Sequence, residues 1–171
     1  MAGSRAAQRL TGILASYGRF HRDARNRFTH YIGVPAIIYA ILIPPALHSM
    51  TAFGATIDLD RILVIAAAVG YIALDPPFGV SLTVVLAVLA KAAEATCRLG
   101  IHAALLVAGV VFVVGWALQL LGHRLEGNRP ALLTNLAQIL IAPLFLVAEA
   151  GFALGLRADL KAAVERRPGD A

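Results

Sequence analysis

The chain has 171 residues, of which 59% are hydrophobic and only 15% charged, and its mean hydropathy is +0.76. Soluble domains average about 45 to 50% apolar and 25% charged, so this composition excludes an ordinary soluble domain and indicates an integral membrane protein. The net charge of +5 comes mainly from Arg5, Arg9, Arg19, Arg22, Arg25 and Arg27. Beside apolar segments that charge reads as attraction to lipid headgroups and as a topology signal, with no nucleic-acid motif.

No cleavable signal peptide is evident before residue 30, so the mature chain is expected to begin near Met1. Residues 4–28 read as one amphipathic helix on the membrane surface, because Leu10, Ile13, Leu14, Tyr17 and Phe20 recur at helical spacing opposite the arginines. The first apolar run, residues 31–43, is closed by Pro44-Pro45. Its 13 residues make about 20 Å of helix, short of a roughly 30 Å hydrocarbon core unless a kinked helix continues through Ala46 and Leu47. Residues 49–60 read as a polar loop, and residues 62–74 as a second short run ended by Asp75-Pro76-Pro77. A third run, 78–90, grades into the more polar 91–100, followed by a clear span at 101–121 and a last span at 131–154 that contains Pro143. The tail from Gly155 reads as a short amphipathic surface helix.

The expected fold is all-α. It is a polytopic membrane helical bundle with four to five hydrophobic segments, some short or proline-broken, and amphipathic surface helices at both ends. One integral domain covers residues 1–171: an interfacial segment 1–30, membrane helices 31–154 and a surface tail 155–171. Two topologies compete. A single crossing by residues 62–90 gives a strong positive-inside bias, but needs 29 continuous helical residues, about 44 Å, through a double proline. A helical hairpin at Asp75-Pro-Pro gives little bias and is the reading adopted here.

Polar chemistry concentrates in two islands, residues 21–30 and 122–131, and the hairpin puts both on one membrane face. Ionisable groups beside membrane segments are costly and tend to mark function. Gln119, His123 and Glu126 fall on one helical face, as do Asn135, Gln138 and Glu149 of the last span. His21 and His30 are nine residues apart, hence on opposite faces of an unbroken helix. They can serve one centre only if the chain breaks near residues 27–29 or the two approach from different flanks. Imidazoles with one carboxylate suit non-haem iron, and zinc accepts the same set. The competing account is that these histidines are interfacial residues satisfied by headgroups and water, with Asn26, Arg27 and Glu126 as caps and ion pairs. Cys97, alone, builds neither a disulfide nor a thiolate site.

Three strings carry a family resemblance: Tyr17-x3-His21-x4-Asn26-Arg27-x-Thr29-His30-x-Ile32-Gly33-Val34-Pro35; Gly115-Trp116-x2-Gln119-x2-Gly122-His123-x2-Glu126-Gly127-x-Arg129-Pro130-Ala131-Leu132; and Pro143-Leu144-Phe145 with Glu149. Over roughly residues 14–152 the chain resembles the 2-hydroxy fatty acid dioxygenases. The resemblance implies iron(II), dioxygen as co-substrate, and α-oxidation of a 2-hydroxy fatty acid to the acid one carbon shorter. It implies His21, His30 and His123 as ligands. Glu149 joins them only if the last span folds back near Pro143, since a straight helix carries it toward the other membrane face. Arg27 or Arg129 would pair with the substrate carboxylate, while Asn26, Gln119 and Glu126 would orient imidazoles through their second nitrogens. The expected partners are the bilayer and the fatty acid, and a homo-oligomer is compatible with the sequence. The location would be the inner membrane of a bacterium or the endoplasmic reticulum of a eukaryote. Against this enzyme stand a small transporter, suggested by the proline-broken segments, and a non-catalytic lipid-binding organiser.

Overall fold

A computed structural model describes residues 2–19, 21–52, 54–127 and 137–165. Among them are seven helices and one short hairpin: α1 Ala2–Gly18, α2 Ala24–Ala46, β1 Ser49–Ala52, β2 Ala55–Asp58, α3 Leu59–Leu74, α4 Pro76–Cys97, α5 Ile101–Glu126, α6 Ala137–Ala153 and α7 Ala158–Glu165. The fold is all-α in character, as expected, and α2, α4 and α5 are long and apolar enough to cross a membrane. Residues 139–153 with α7 form a fourth candidate, bent by 117°. Leu106 and Val113 on α5, Val84 and Val88 on α4 and Val69 on α3 face outward, an apolar belt that suits lipid rather than water.

Several boundaries differ from the sequence reading. The N-terminal helix stops at Gly18 rather than running to residue 28, and a new one starts at Ala24, with the Asp23 carboxylate accepting the Arg25 amide at 2.8 Å. Nor does α1 merely rest on lipid. Its Leu10, Leu14 and Tyr17 are buried in one cluster with Leu144, Phe145 and Ala148 of α6 and Leu160 of α7. Helix α2 does continue through Pro44 and Pro45, because both sit in its last turn. The Leu47 amide then closes the end on the Pro44 carbonyl at 3.2 Å. Its 23 residues give about 35 Å, enough to span. The expected polar loop is an antiparallel hairpin in register Ser49↔Asp58 and Ala52↔Ala55, with Gly54 at φ +77 supplying the turn.

Asp75 makes the turn between α3 and α4. Its carboxylate accepts the Phe78 amide at 3.0 Å, and Pro76 opens α4, where a missing amide donor costs nothing. Gly79 then lies against the Tyr71 and Ile72 backbone, where a Cβ would come within 2.5 Å of the Tyr71 carbonyl oxygen. At the other end of the pair, Arg61 meets Glu94 at 2.7 Å. The two helices are therefore antiparallel, the hairpin that brings residues 21–30 and the described part of the second island, 122–127, to one end of the bundle.

Helices α2 and α5 also run antiparallel, in closer contact. Gly33 faces Gly115, whose absent Cβ would stand 2.8 Å from Ile37 Cγ1, and Gly122 faces Asn26 and Thr29. Toward the far end, the Tyr39 and Thr96 hydroxyls are 2.5 Å apart, and a second apolar cluster holds Leu42, Ile43, Ala90, Ala93, Ala104 and Ala108.

The expected last span is changed most. Leu140 accepts the Tyr71 hydroxyl at 2.7 Å through its carbonyl, Phe145 packs on Tyr17, Leu146 accepts Tyr31, and Gly151 meets Phe78. All four partners belong to the end that holds the polar islands. Helix α6 therefore lies across that end, with α1 packed against it and α7 against α1, instead of descending beside α5.

Candidate metal centre

Three chain segments converge beneath α6. His21 sits in the link between α1 and α2, His30 in the second turn of α2, and His123 in the last turn of α5. All three are at least 96% buried, and one ring nitrogen from each lies within 4.8 Å of the others. The break that lets His21 and His30 face each other falls at residues 19–23, ahead of the 27–29 expected from their spacing.

The hydrogen bonds fix two of the tautomers. Nδ1 of His21 is 2.9 Å from the Tyr17 carbonyl oxygen, and Nδ1 of His30 is 2.9 Å from that of Asn26. A carbonyl can only accept, so both Nδ1 atoms carry the proton and both Nε2 atoms are left as bare lone pairs when the rings are neutral. Burial pushes His21 down to about 4, against the pull of its bond to Tyr17, so that ring is neutral near pH 7. The two Nε2 atoms nevertheless face each other at 3.2 Å. Two acceptors at that separation repel unless something positive lies between them. His123 Nδ1 adds a buried nitrogen with no hydrogen-bond partner among the described residues. Three imidazoles with nitrogens turned inward fit a first-row transition metal, and three protein ligands leave positions open for other molecules. Tyr17 stacks on His21 with ring centroids 4.0 Å apart and planes 2° from parallel, which holds the link in place.

The remaining candidate residues take other places. Glu126 accepts the Arg22 and Asp23 amides at 2.5 and 3.2 Å through Oε1 and the Asn26 side-chain amide through Oε2. Both residues were expected to orient imidazoles with their side chains. Instead, Glu126 pins the His21 link and the start of α2 to the end of α5, and Asn26 orients His30 with its main-chain carbonyl. Glu149 lies outside the histidine group and pairs with Arg27 at 3.1 Å. It reaches the site's end of the bundle because α6 lies across that end, without any fold-back at Pro143. Gln119 is buried one turn before His123, with Oε1 unpartnered among the described residues. Arg129 and Asn135 fall outside the described residues, as does the side chain of Gln138. Thr29, which the family string contains but to which the sequence assigned no role, donates to the Asn26 carbonyl at 2.7 Å and shares the seam at Gly122.

Below the histidines runs an apolar cavity of about 320 Å³. His30, Gln119 and His123 line one end, and Val34, Ile38 and Leu42 continue its wall along α2. Ile41 and Leu63 also line it while about half exposed on the outer surface, so it opens sideways between α2 and α3. A second acidic group, Asp58, Asp60 and Glu94, lies at the opposite end of the bundle. It already holds Arg61 at 3.1 Å from Asp58 and 2.7 Å from Glu94, and Lys91 at 2.8 Å from Glu94.

A family model described as 2-hydroxy-palmitic acid dioxygenase Mpo1-like matches residues 7–154. The 2-hydroxy-palmitic acid dioxygenase MPO1 of Saccharomyces cerevisiae is 32% identical over 163 residues, which cover 91% of this chain and 87% of the yeast protein. No solved structure matches the chain.

Proposed function

This chain belongs to the Mpo1-like family, and on that premise we propose that it is an iron(II)-dependent dioxygenase that shortens 2-hydroxy fatty acids by one carbon. The observation that carries the reading is the position of three inward-turned imidazoles at the head of an apolar cavity. In balance, one 2-hydroxy acid and one dioxygen give the acid one carbon shorter, carbon dioxide and water. His21, His30 and His123 would hold the metal, and iron(II) bound there supplies the redox chemistry that dioxygen requires.

The rest of the work belongs to the chain. The backbone carbonyls of Tyr17 and Asn26 keep two imidazoles in the tautomer a metal needs. Arg27, one turn from His30, offers a guanidinium to the substrate carboxylate once it leaves Glu149, and Arg129 is a second candidate. Glu126 and Asn26 hold the three histidine-bearing segments in register. The acyl tail would occupy the cavity. From His30 to Leu42 is 12 residues, about 18 Å of helix, and half of a roughly 30 Å hydrocarbon core is about 15 Å. A fatty acid with its head at the histidines thus lies at the depth it occupies in a bilayer, and it need not enter water.

The test is anaerobic purification with iron(II), admission of dioxygen, and mass spectrometry of 2-hydroxy fatty acids. Iron near one per chain and the acid one carbon shorter are expected. His123→Ala should lose both. An iron-replete, fully active His123→Ala chain, or no shortened acid from the parent chain at any chain length, would overturn the reading.

A further inference from the structure

We infer that Gln119 is the residue that reads the substrate's 2-hydroxyl group, and so separates 2-hydroxy acids from ordinary fatty acids. The inference rests on the dioxygenase reading above. A fatty acid and its 2-hydroxy derivative share a tail and a carboxylate, so neither the apolar cavity nor Arg27 can tell them apart. Discrimination needs a polar group beside C2, at the junction of head and tail. Gln119 stands at that junction. It lines the cavity together with His30 and His123, and precedes His123 by one turn, about 6 Å along α5.

Its chemistry is uncommitted. The side chain is 93% buried, and its carbonyl oxygen has no hydrogen-bond partner among the described residues. Two neighbouring polar groups of the lining are already engaged, the Tyr71 hydroxyl donating to the Leu140 carbonyl at 2.7 Å and His30 Nδ1 to that of Asn26 at 2.9 Å, and the open Nδ1 of His123 belongs to a ring of the candidate metal site. A carboxamide offers both a donor and an acceptor, and a hydroxyl can meet either. A buried polar group that finds its partner only in the correct substrate rejects the analogue lacking that partner, because the analogue leaves it unpaired.

The test compares the iron-loaded full chain with Gln119→Met, nearly equal in length but unable to form the bond. Binding of 2-hydroxyhexadecanoate and of hexadecanoate is measured without oxygen, beside iron content and the thermal midpoint of the acid-free protein. The parent chain should prefer the hydroxy acid by about ten- to a hundredfold. In Gln119→Met that preference should collapse to within about threefold through weaker binding of the hydroxy acid alone. Iron content should be unchanged and the midpoint equal or higher, since an unpaired buried oxygen has been removed. Gln119→Leu provides the same comparison if the methionine variant does not fold. Retained preference overturns the inference, as does a parallel loss of both acids with a lower midpoint, which would mark a structural role. A parent chain that shortens 2-hydroxy acids while Gln119→Met still discriminates refutes the role of Gln119 alone. A parent chain that neither shortens nor prefers them removes the dioxygenase reading, and the inference with it.

Discussion

Replacing Gly122 by alanine tests whether the candidate metal centre depends on how closely α2 and α5 approach. A Cβ at position 122 would stand 2.5 Å from Asn26 Oδ1, closer still to Thr29 Oγ1, and 3.3 Å from the Asn26 Cα. Ordinary contact begins near 3.4 to 3.5 Å, so the helices must separate by roughly 1 Å. Neither obstructing side chain can swing aside freely. Thr29 is bonded to the Asn26 carbonyl, and the Asn26 amide to Glu126. His30 and His123 each lie one residue from this contact, so the separation passes almost undiminished to the site. Metal–ligand bonds tolerate about 0.2 Å, and disturbing the surroundings of a metal site costs about 10- to 100-fold in affinity. The overpacking itself costs about 1 to 3 kcal/mol. Iron affinity measured against a competing chelator should fall at least tenfold in Gly122→Ala, with a lower thermal midpoint. Gly109→Ala is the control, because nothing lies within 4 Å of its added methyl group and alanine favours helix by about 1 kcal/mol. If Gly122→Ala binds iron within twofold of the parent and turns over at the parental rate, the glycine seam does not set the geometry of the centre.

Glu126→Ala leaves two backbone amides and the Asn26 amide without their acceptor. It should cost about 2 kcal/mol in unfolding free energy and about tenfold or more in iron affinity, while Glu126→Gln, which keeps one acceptor oxygen, should recover part of both. Single cysteines placed at Ala24 and Arg124 in a Cys97→Ser chain should react with an impermeant maleimide from the same side of a vesicle, and labelling from opposite sides would refute the α3–α4 hairpin. Because the cavity opens between Ile41 and Leu63, the acyl tail of the proposed substrate would pass from lipid into an equally apolar channel with no closed floor among the described residues. Reconstituted activity should therefore change little as the 2-hydroxy acid lengthens beyond 16 carbons, whereas a sharp cut-off would show that the channel is blocked.

The histidines could be read from the sequence because residues of that type are conspicuous in an apolar chain, and the hairpin because Asp75-Pro76-Pro77 leaves a helix little choice. What fixes the imidazoles could not. The acceptors are the main-chain carbonyls of Tyr17 and Asn26, and every residue carries a carbonyl. Glu126 was legible as a member of the site but not in its role, since its partners are backbone amides a hundred residues away. The course of α6 was misread for a related reason. A 17-residue apolar helix satisfies the composition of a membrane span, and only the surfaces of Tyr17, Tyr71 and Phe78 show that it is covered by protein at one end of the bundle. The break at residues 19–23 carries no proline, and its cause is tertiary: the link is held by Glu126 from α5.

The α3–α4 hairpin has a consequence for where this chemistry can occur. Because the chain returns to its starting end by way of α2, α3, α4 and α5, the histidines, Arg27 and the head of the cavity all lie at one end of the bundle, and with α2, α4 and α5 spanning a bilayer they would face one leaflet. If the proposed function holds, hydroxy acids in the opposite leaflet would be out of reach until their carboxylates crossed the membrane, and the supply of substrate would be set by lipid sidedness as well as by its amount.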